Sequence, residues 1–181
     1  MKILICSDIH GDAESLDMLL KKFGEEGAEK LLILGDLLYH GPRNDLPAGY
    51  APKKAIAMLS EYKERIISVR GNCDTEVDQM VLPFPILADY TYVMTDGLTV
   101  MATHGHKFTP DAPPPMASGT LLLGGHTHVP VIKEIENGCW YINPGSISLP
   151  KENAPKTYCI YEDRKFTIKD FDGNVYLEKS F

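Results

Sequence analysis

The sequence predicts an α/β fold in which two sheets pack face to face with helices outside. Two observations predict it. The first half alternates short apolar runs with helical stretches, which argues for parallel strands joined by right-handed crossovers. The second half replaces the helices with closely spaced apolar runs joined by Asp-Gly and Asn-Gly turns, which argues for hairpins.

Residues 2–6 (KILIC) read as the first strand. Residues 12–27 read as a helix, because Leu16, Leu19, Leu20 and Phe23 recur on one face and Gly27 stands near its end. Residues 30–34 (KLLIL) form the second strand, followed by a loop with Gly41, Pro42, Pro47 and Gly49 as breakers. Residues 51–63 read as a helix with Pro52 at a natural first position, and 65–69 (RIISV) as a third strand. After it, Asp74, Glu76 and Asp78 read as a solvated segment, with Asp74 alone a candidate to support a site from behind.

Residues 90–95 and 98–103 flank Asp96-Gly97, and 129–136 and 139–142 flank Asn137-Gly138. Residues 120–123 form another apolar run, and 157–171 read as further strands. Asp172-Gly173 starts a last turn before 175–177, which closes the sheet. Residues 109–119 carry Pro110, Pro113, Pro114 and Pro115 and read as a loop or lid. With no internal repeat or linker, residues 1–181 are expected to form a single domain.

Composition narrows the function classes. Apolar residues make up 44% and charged residues 24%, so disorder and a coiled coil are excluded as readings. The net charge of -7 repels polyanions, and no basic stripe is present, so a nucleic-acid partner is not expected. Cys6, Cys73, Cys139 and Cys159 are scattered without metal-knuckle spacing. Met1 leads straight into an apolar strand without a signal-peptide layout, and no apolar run approaches membrane-span length. A cytoplasmic compartment is the expectation, and the sequence is compatible with a homo-oligomer.

The chemistry sits just after the apolar runs. KILIC is followed by Ser7-Asp8-Ile9-His10-Gly11, KLLIL by Gly35-Asp36, and RIISVR by Gly71-Asn72-Cys73-Asp74. The run ending at Ala102 is followed by Thr103-His104-Gly105-His106, and TLLL by Gly124-Gly125-His126-Thr127-His128. Parallel strands bring their carboxyl ends to one edge, where ligands gather in α/β folds. In extended backbone, residues i and i+2 point the same way, which pairs Asp8 with His10 and His126 with His128.

Imidazoles and carboxylates suit divalent manganese, iron or zinc. The donors suffice for two cations, spaced roughly 3.5–4 Å, which would stabilise both oxygens of an in-line displacement. A single-metal version of the site also fits. One such motif alone is an ordinary surface feature; their recurrence at successive strand ends is not.

The ordered set DIHG, GD, GNCD, HGH and GHTH resembles the calcineurin-like metallophosphoesterase superfamily. The HGPRN loop (residues 40–44) and the NPGS turn (143–146) resemble its small YfcE-like bacterial phosphodiesterases, and the likeness runs over almost the whole chain. The resemblance implies a four-layer α/β/β/α sandwich of two mixed sheets flanked by helices. It implies Asp8, His10 and His128 on one metal, Asn72, His104 and His126 on a second, and Asp36 bridging them, with His106 beside the site. Two divalent ions are implied, manganese first, with iron or zinc as alternatives. The implied activity is hydrolysis of phosphodiester bonds in small substrates by water held between the ions.

Three further residues enter on the resemblance. Many superfamily members carry a His where this chain has Cys73, and that imidazole protonates the leaving group. A thiol near its reference pKa of about 8.5 is a poorer acid, though the YfcE-like branch shares the Cys. Arg43 is expected on a phosphate oxygen and His40 as a substitute proton donor. Competing readings are a scaffold or binding module of the same fold, a nuclease, and a phosphomonoesterase.

Overall fold

A computed structural model describes residues 1–181. β1 (Ile3–Cys6), β2 (Lys30–Ile33) and β3 (Ile66–Ser68) run parallel, joined by α1 (Ala13–Glu25) and α2 (Pro52–Glu61). A short α3 (Glu76–Val81) follows, and then the second sheet begins with the hairpin β4 (Tyr90–Thr95) and β5 (Leu98–Thr103). β6 (Leu121–Leu123), β7 (Val131–Glu134) and β8 (Trp140–Asn143) complete it in the order β4-β5-β6-β8-β7, with β5, β6 and β8 parallel. The chain then returns to the first sheet. β9 (Thr157–Glu162), β10 (Lys165–Asp170) and β11 (Val175–Ser180) extend it antiparallel, giving β11-β10-β9-β1-β2-β3.

Local chemistry accounts for the elements. The Asp12 carboxylate caps α1 by accepting from the N–H groups of Glu14 at 3.1 Å and Ser15 at 3.0 Å. Leu16, Leu19 and Phe23 form its buried face. Strands β1 and β2 are apolar on both faces because both faces are covered. Leu4, Cys6, Leu31 and Ile33 meet the helices, whereas Ile3, Ile5 and Leu32 meet the second sheet. Each such side chain contributes about 1.5–3 kcal/mol on burial.

The expected sandwich of two mixed sheets flanked by helices is present, with unequal outer layers. The helix side of the first sheet buries 19 residues and the space between the sheets 15, but the outer face of the second sheet only 3. There Met101, Leu122 and Tyr141 are covered by Phe108 and Met116 of the irregular segment after β5. Residues 109–119 are the expected loop, and their Met116 packs on this sheet face. No helix is long and apolar enough to cross a membrane.

The segment after β3 also differs from expectation. Thr75 and Asp78 form a capping box that starts α3, a signal present in the sequence as Thr-x-x-Asp. Asp74 is not solvated: it is buried, and its role appears at the site. Cys6, Cys139 and Cys159 are buried and free, as expected of packing residues.

Candidate metal centre

Five strand ends meet at one edge of the sandwich. β1, β2 and β3 deliver Asp8 with His10, Asp36, and Asn72 with Cys73, while β5 and β6 deliver His104, and His126 with His128. His128 Nε2 lies 3.2 Å from Asp8 Oδ1, and His10 Nε2 lies 3.5 Å from the same oxygen. His10 Nε2 is 3.7 Å and His104 Nε2 3.4 Å from Asp36 Oδ2. His104 Nε2 is also 3.1 Å from Asn72 Oδ1, and the His126 ring stands 5.2 Å from the His104 ring. Asp8, His10 and His128 form one compact donor set and Asp8, Asp36 and His104 another, each with atoms within 4.8 Å of one another.

Expected i, i+2 pairing fails for the histidine motif. His126 faces His104, whereas His128 faces His10. The reason is the backbone: these stretches are not extended. Asp8, His10, Asp36, His126 and His128 have φ of 57°, 48°, 55°, 65° and 61°. Left-handed backbone at non-glycine residues costs about 1–2 kcal/mol each. It persists because surrounding bonds over-determine it. Asp8 N–H donates to Gly35 O at 3.1 Å and His10 N–H to Asp36 O at 2.9 Å. The hydroxyls of Ser146 and Ser148 both donate to Asp8 O, at 2.9 and 2.7 Å.

Asp36 is held from behind by Asp74. The Asp74 carboxylate accepts the N–H groups of Asp36 and Leu37 at 2.8 Å each and of Gly71 at 2.7 Å. Cys73 N–H donates to Asp36 Oδ1 at 2.8 Å. Two glycines are required by close approach. A Cβ at Gly71 would strike the Asp36 carboxylate, and one at Gly125 would strike Ser7 Oγ.

The donor set fits divalent cations. His10, His104 and His128 give Nδ1–H to the carbonyls of Tyr39, Leu34 and Leu149 at 2.7, 2.6 and 2.6 Å. This leaves each Nε2 to present a lone pair to a cation once the ring is neutral, the arrangement metal-binding imidazoles adopt. His10 Nε2 and His128 Nε2 then face each other at 3.4 Å, beside the buried, unpartnered Asp8 Oδ1. Acceptors crowded this way repel unless a cation lies among them.

Without a cation, a proton competes for the same position on His104. Burial alone would raise the Asp8 carboxyl, but His104, His10 and His128 hold it well below the usual range. Burial opposes charge on His104, yet Asp8 and Asp36 outweigh it and push its pKa up to about 9. His106 moves the other way, to about 4, through burial and the neighbouring His104. Asp74 is pushed up to about 6 by burial, against its three N–H donors. Burial and then the Asp36 charge push the Cys73 thiol up, which makes it a still poorer acid than expected.

Beside the centre opens a cleft of about 720 Å³. That size suits a small molecule. Asp36, Asn72, His126 and His128 line it, together with Arg43 and Cys73. His40 does not: its ring lies edge-on to Tyr39 and Tyr50, at 4.7 and 5.4 Å. Sequence reasoning missed Lys151, which also lines the cleft and sits in a loop with no motif to mark it. It also passed over Ser148, although the NPGS turn pointed to that neighbourhood.

Fold and site together define a metal-dependent hydrolase of phosphoric esters. The family model of the calcineurin-like phosphoesterase superfamily domain matches residues 1–165, and the chain belongs to that superfamily. Within it, the chain is 46% identical over 168 residues to the phosphodiesterase YfcE of Escherichia coli K12, covering 93% of this chain and 91% of that protein. The structure of the E. coli phosphoesterase YfcE superposes with a TM-score of 0.96 at 40% identity, covering 99% of both chains. Vps29 of Entamoeba histolytica shares the fold alone, with a TM-score of 0.66 at 18% identity over 100% of this chain and 99% of that one.

Proposed function

We propose that this chain hydrolyses phosphodiester bonds in small substrates with two divalent cations held at the sheet edge. Asp8, His10 and His128 hold one cation, Asn72, His104 and His126 the other, and Asp36 is shared. The observation that carries the reading is the set of facing acceptors: His10 Nε2 and His128 Nε2 at 3.4 Å beside the unpartnered Asp8 Oδ1. The likeness to the E. coli phosphodiesterase supports the diester class. Manganese is the first choice of metal, with iron or zinc accepted by the same donors.

When bound, the cations supply Lewis acidity and positive charge for the attack of water on phosphorus. The protein holds the centre rigid and dry on one side. Asp74 fixes the Asp36 backbone, and Ser146 with Ser148 fixes that of Asp8, so little reorganisation is left for the reaction. Arg43 places a guanidinium on a phosphate oxygen and orients the ester. Cys73 lines the cleft but is a weak acid, so the leaving group departs with little proton assistance. Activated aryl diesters therefore outrun alkyl ones. The whole chain works as one domain, in the cytoplasm.

The test is a screen of mono- and diesters on the metal-reconstituted protein, with Asp36→Asn as the control. Turnover of bis(p-nitrophenyl) phosphate should require added manganese and vanish in the variant. Full activity after chelation, or an undiminished Asp36→Asn protein, would falsify the assignment.

A further inference from the structure

The cleft holds a cation that a singly charged diester does not require. Arg43 enters it from the loop after β2 and Lys151 from the loop after β8. The two stand on different walls. Gly41, close to Arg43 in sequence, lies against Cys73, where an added Cβ would come within 3.2 Å of Sγ. Lys151 belongs to the His128 wall: its N–H donates to His128 O at 3.3 Å, and the preceding Leu149 O accepts from His128 Nδ1 at 2.6 Å.

The Lys151 loop is built and not merely draped. Glu152 and Asn153 take left-handed φ of 54° and 59°, and Ala154 N–H closes the turn on Lys151 O at 3.0 Å. Nearby Lys156 is occupied by Asp12 at 3.5 Å and Ser15 at 2.7 Å. Lys151 has no ion-pair partner, although Glu152 is next to it in an acidic chain of net charge -7. A lysine left unpaired at the mouth of a binding cleft is available to a ligand.

Charge balance says which ligand. Two divalent cations exceed the charge of Asp8, Asp36 and the Asp74 carboxylate behind them, and that surplus with Arg43 still outweighs the single charge of a phosphodiester. Lys151 adds to an excess unless the substrate carries more negative charge. We propose that Lys151 forms an anion subsite beside the metal centre, and that the substrate is a small phosphodiester whose arm on the His128 side bears a second anionic group. The group is a carboxylate or a further phosphate. This rests on the dimetal diesterase reading above and specifies its substrate class.

Three p-nitrophenyl diesters share one leaving group and differ in the other arm: ethyl, carboxyethyl and phosphoethyl. The manganese-loaded protein should turn over at least one charged ester with kcat/KM about fivefold above that of the ethyl ester, chiefly through KM. Added salt should narrow the gap. The ester with the larger gain identifies the group. Lys151→Ala should bring the ratio to about one and Lys151→Arg should retain it, with manganese affinity by calorimetry unchanged in both. Equal kcat/KM for all three esters, or a preference that survives Lys151→Ala, overturns the subsite. Loss of manganese affinity together with the preference also overturns it, by assigning Lys151 to support of His128. Absence of turnover of all three esters by the unmodified, manganese-loaded protein would instead sink the diesterase reading itself.

Discussion

At the hairpin tips, Asp96, Asn137, Asp163 and Arg164 take positive φ at the exposed surface; at the carboxyl edge of the sheets, Asp8, His10, Asp36 and His128 take the same conformation in the interior. At the tips the cause is local. The two-residue reversals at Asp96-Gly97 and Asp163-Arg164 demand left-handed backbone between twisted strands, and the short turn Glu136–Gly138 does the same at Asn137. At the edge the cause is distant. Asp8 is held by Ser146 and Ser148, and Asp36 by Asp74, through bonds that span much of the chain. The lesson is that one backbone state serves chain reversal in one region and aims ligands in the other. Distant residues reach the tips as well, Tyr161 and Arg164 bonding to Asp96, but only at the edge are the restraints buried among the donor groups themselves.

The sharpest way to break this contrast is to remove Asp36, the proposed shared ligand. Asp36→Asn should lower kcat by about a thousandfold or more, because the proposed bridging carboxylate, 3.7 Å from His10 Nε2 and 3.4 Å from His104 Nε2, is lost. Steady-state kinetics with saturating manganese would show it. Next in size is the support behind Asp8. The double variant Ser146→Ala and Ser148→Ala leaves every ligand in place but frees the Asp8 carbonyl. Manganese affinity should weaken about 10- to 100-fold with circular dichroism unchanged; an affinity unaltered by the pair would show that the strain needs no such restraint.

The electrostatics of the edge predict a smaller, graded effect. His104 has a pKa raised to about 9, so below that value a proton competes with the cation for its Nε2. Affinity should therefore rise with pH through the neutral range and level off near 9, by no more than about tenfold per unit for each proton displaced. Calorimetry in buffers of different ionisation enthalpy would count the protons released. His126, whose pKa is lowered by burial and His104, should contribute less of that dependence than His104.

At the tips the effect should be smallest. Asn137→Ala places an alanine at φ 60° and should cost about 1 kcal/mol of stability with turnover unchanged. Thermal unfolding and kinetics on the same sample would check both halves of that statement. A change in metal affinity there would mean the two regions are coupled after all.

Much of this was legible in the residues themselves. Apolar runs at 2–6, 30–34 and 65–69 mark the parallel strands because a strand buried on both faces must be apolar throughout. Asp-Gly and Asn-Gly mark the hairpins because turn chemistry is local. The carboxylate and imidazole motifs mark the edge because parallel strands share one carboxyl end. The motifs' resemblance already separated His126 from His128 and offered Asp74 as support; the tertiary structure decided that left-handed backbone makes that separation, that Asp74 acts through the N–H groups of Asp36, Leu37 and Gly71, and that His40 stays out of the cleft while Lys151 enters it. Those outcomes depend on left-handed backbone and hydrogen bonds between residues far apart in sequence, and no periodicity within a segment records where its distant neighbours will stand.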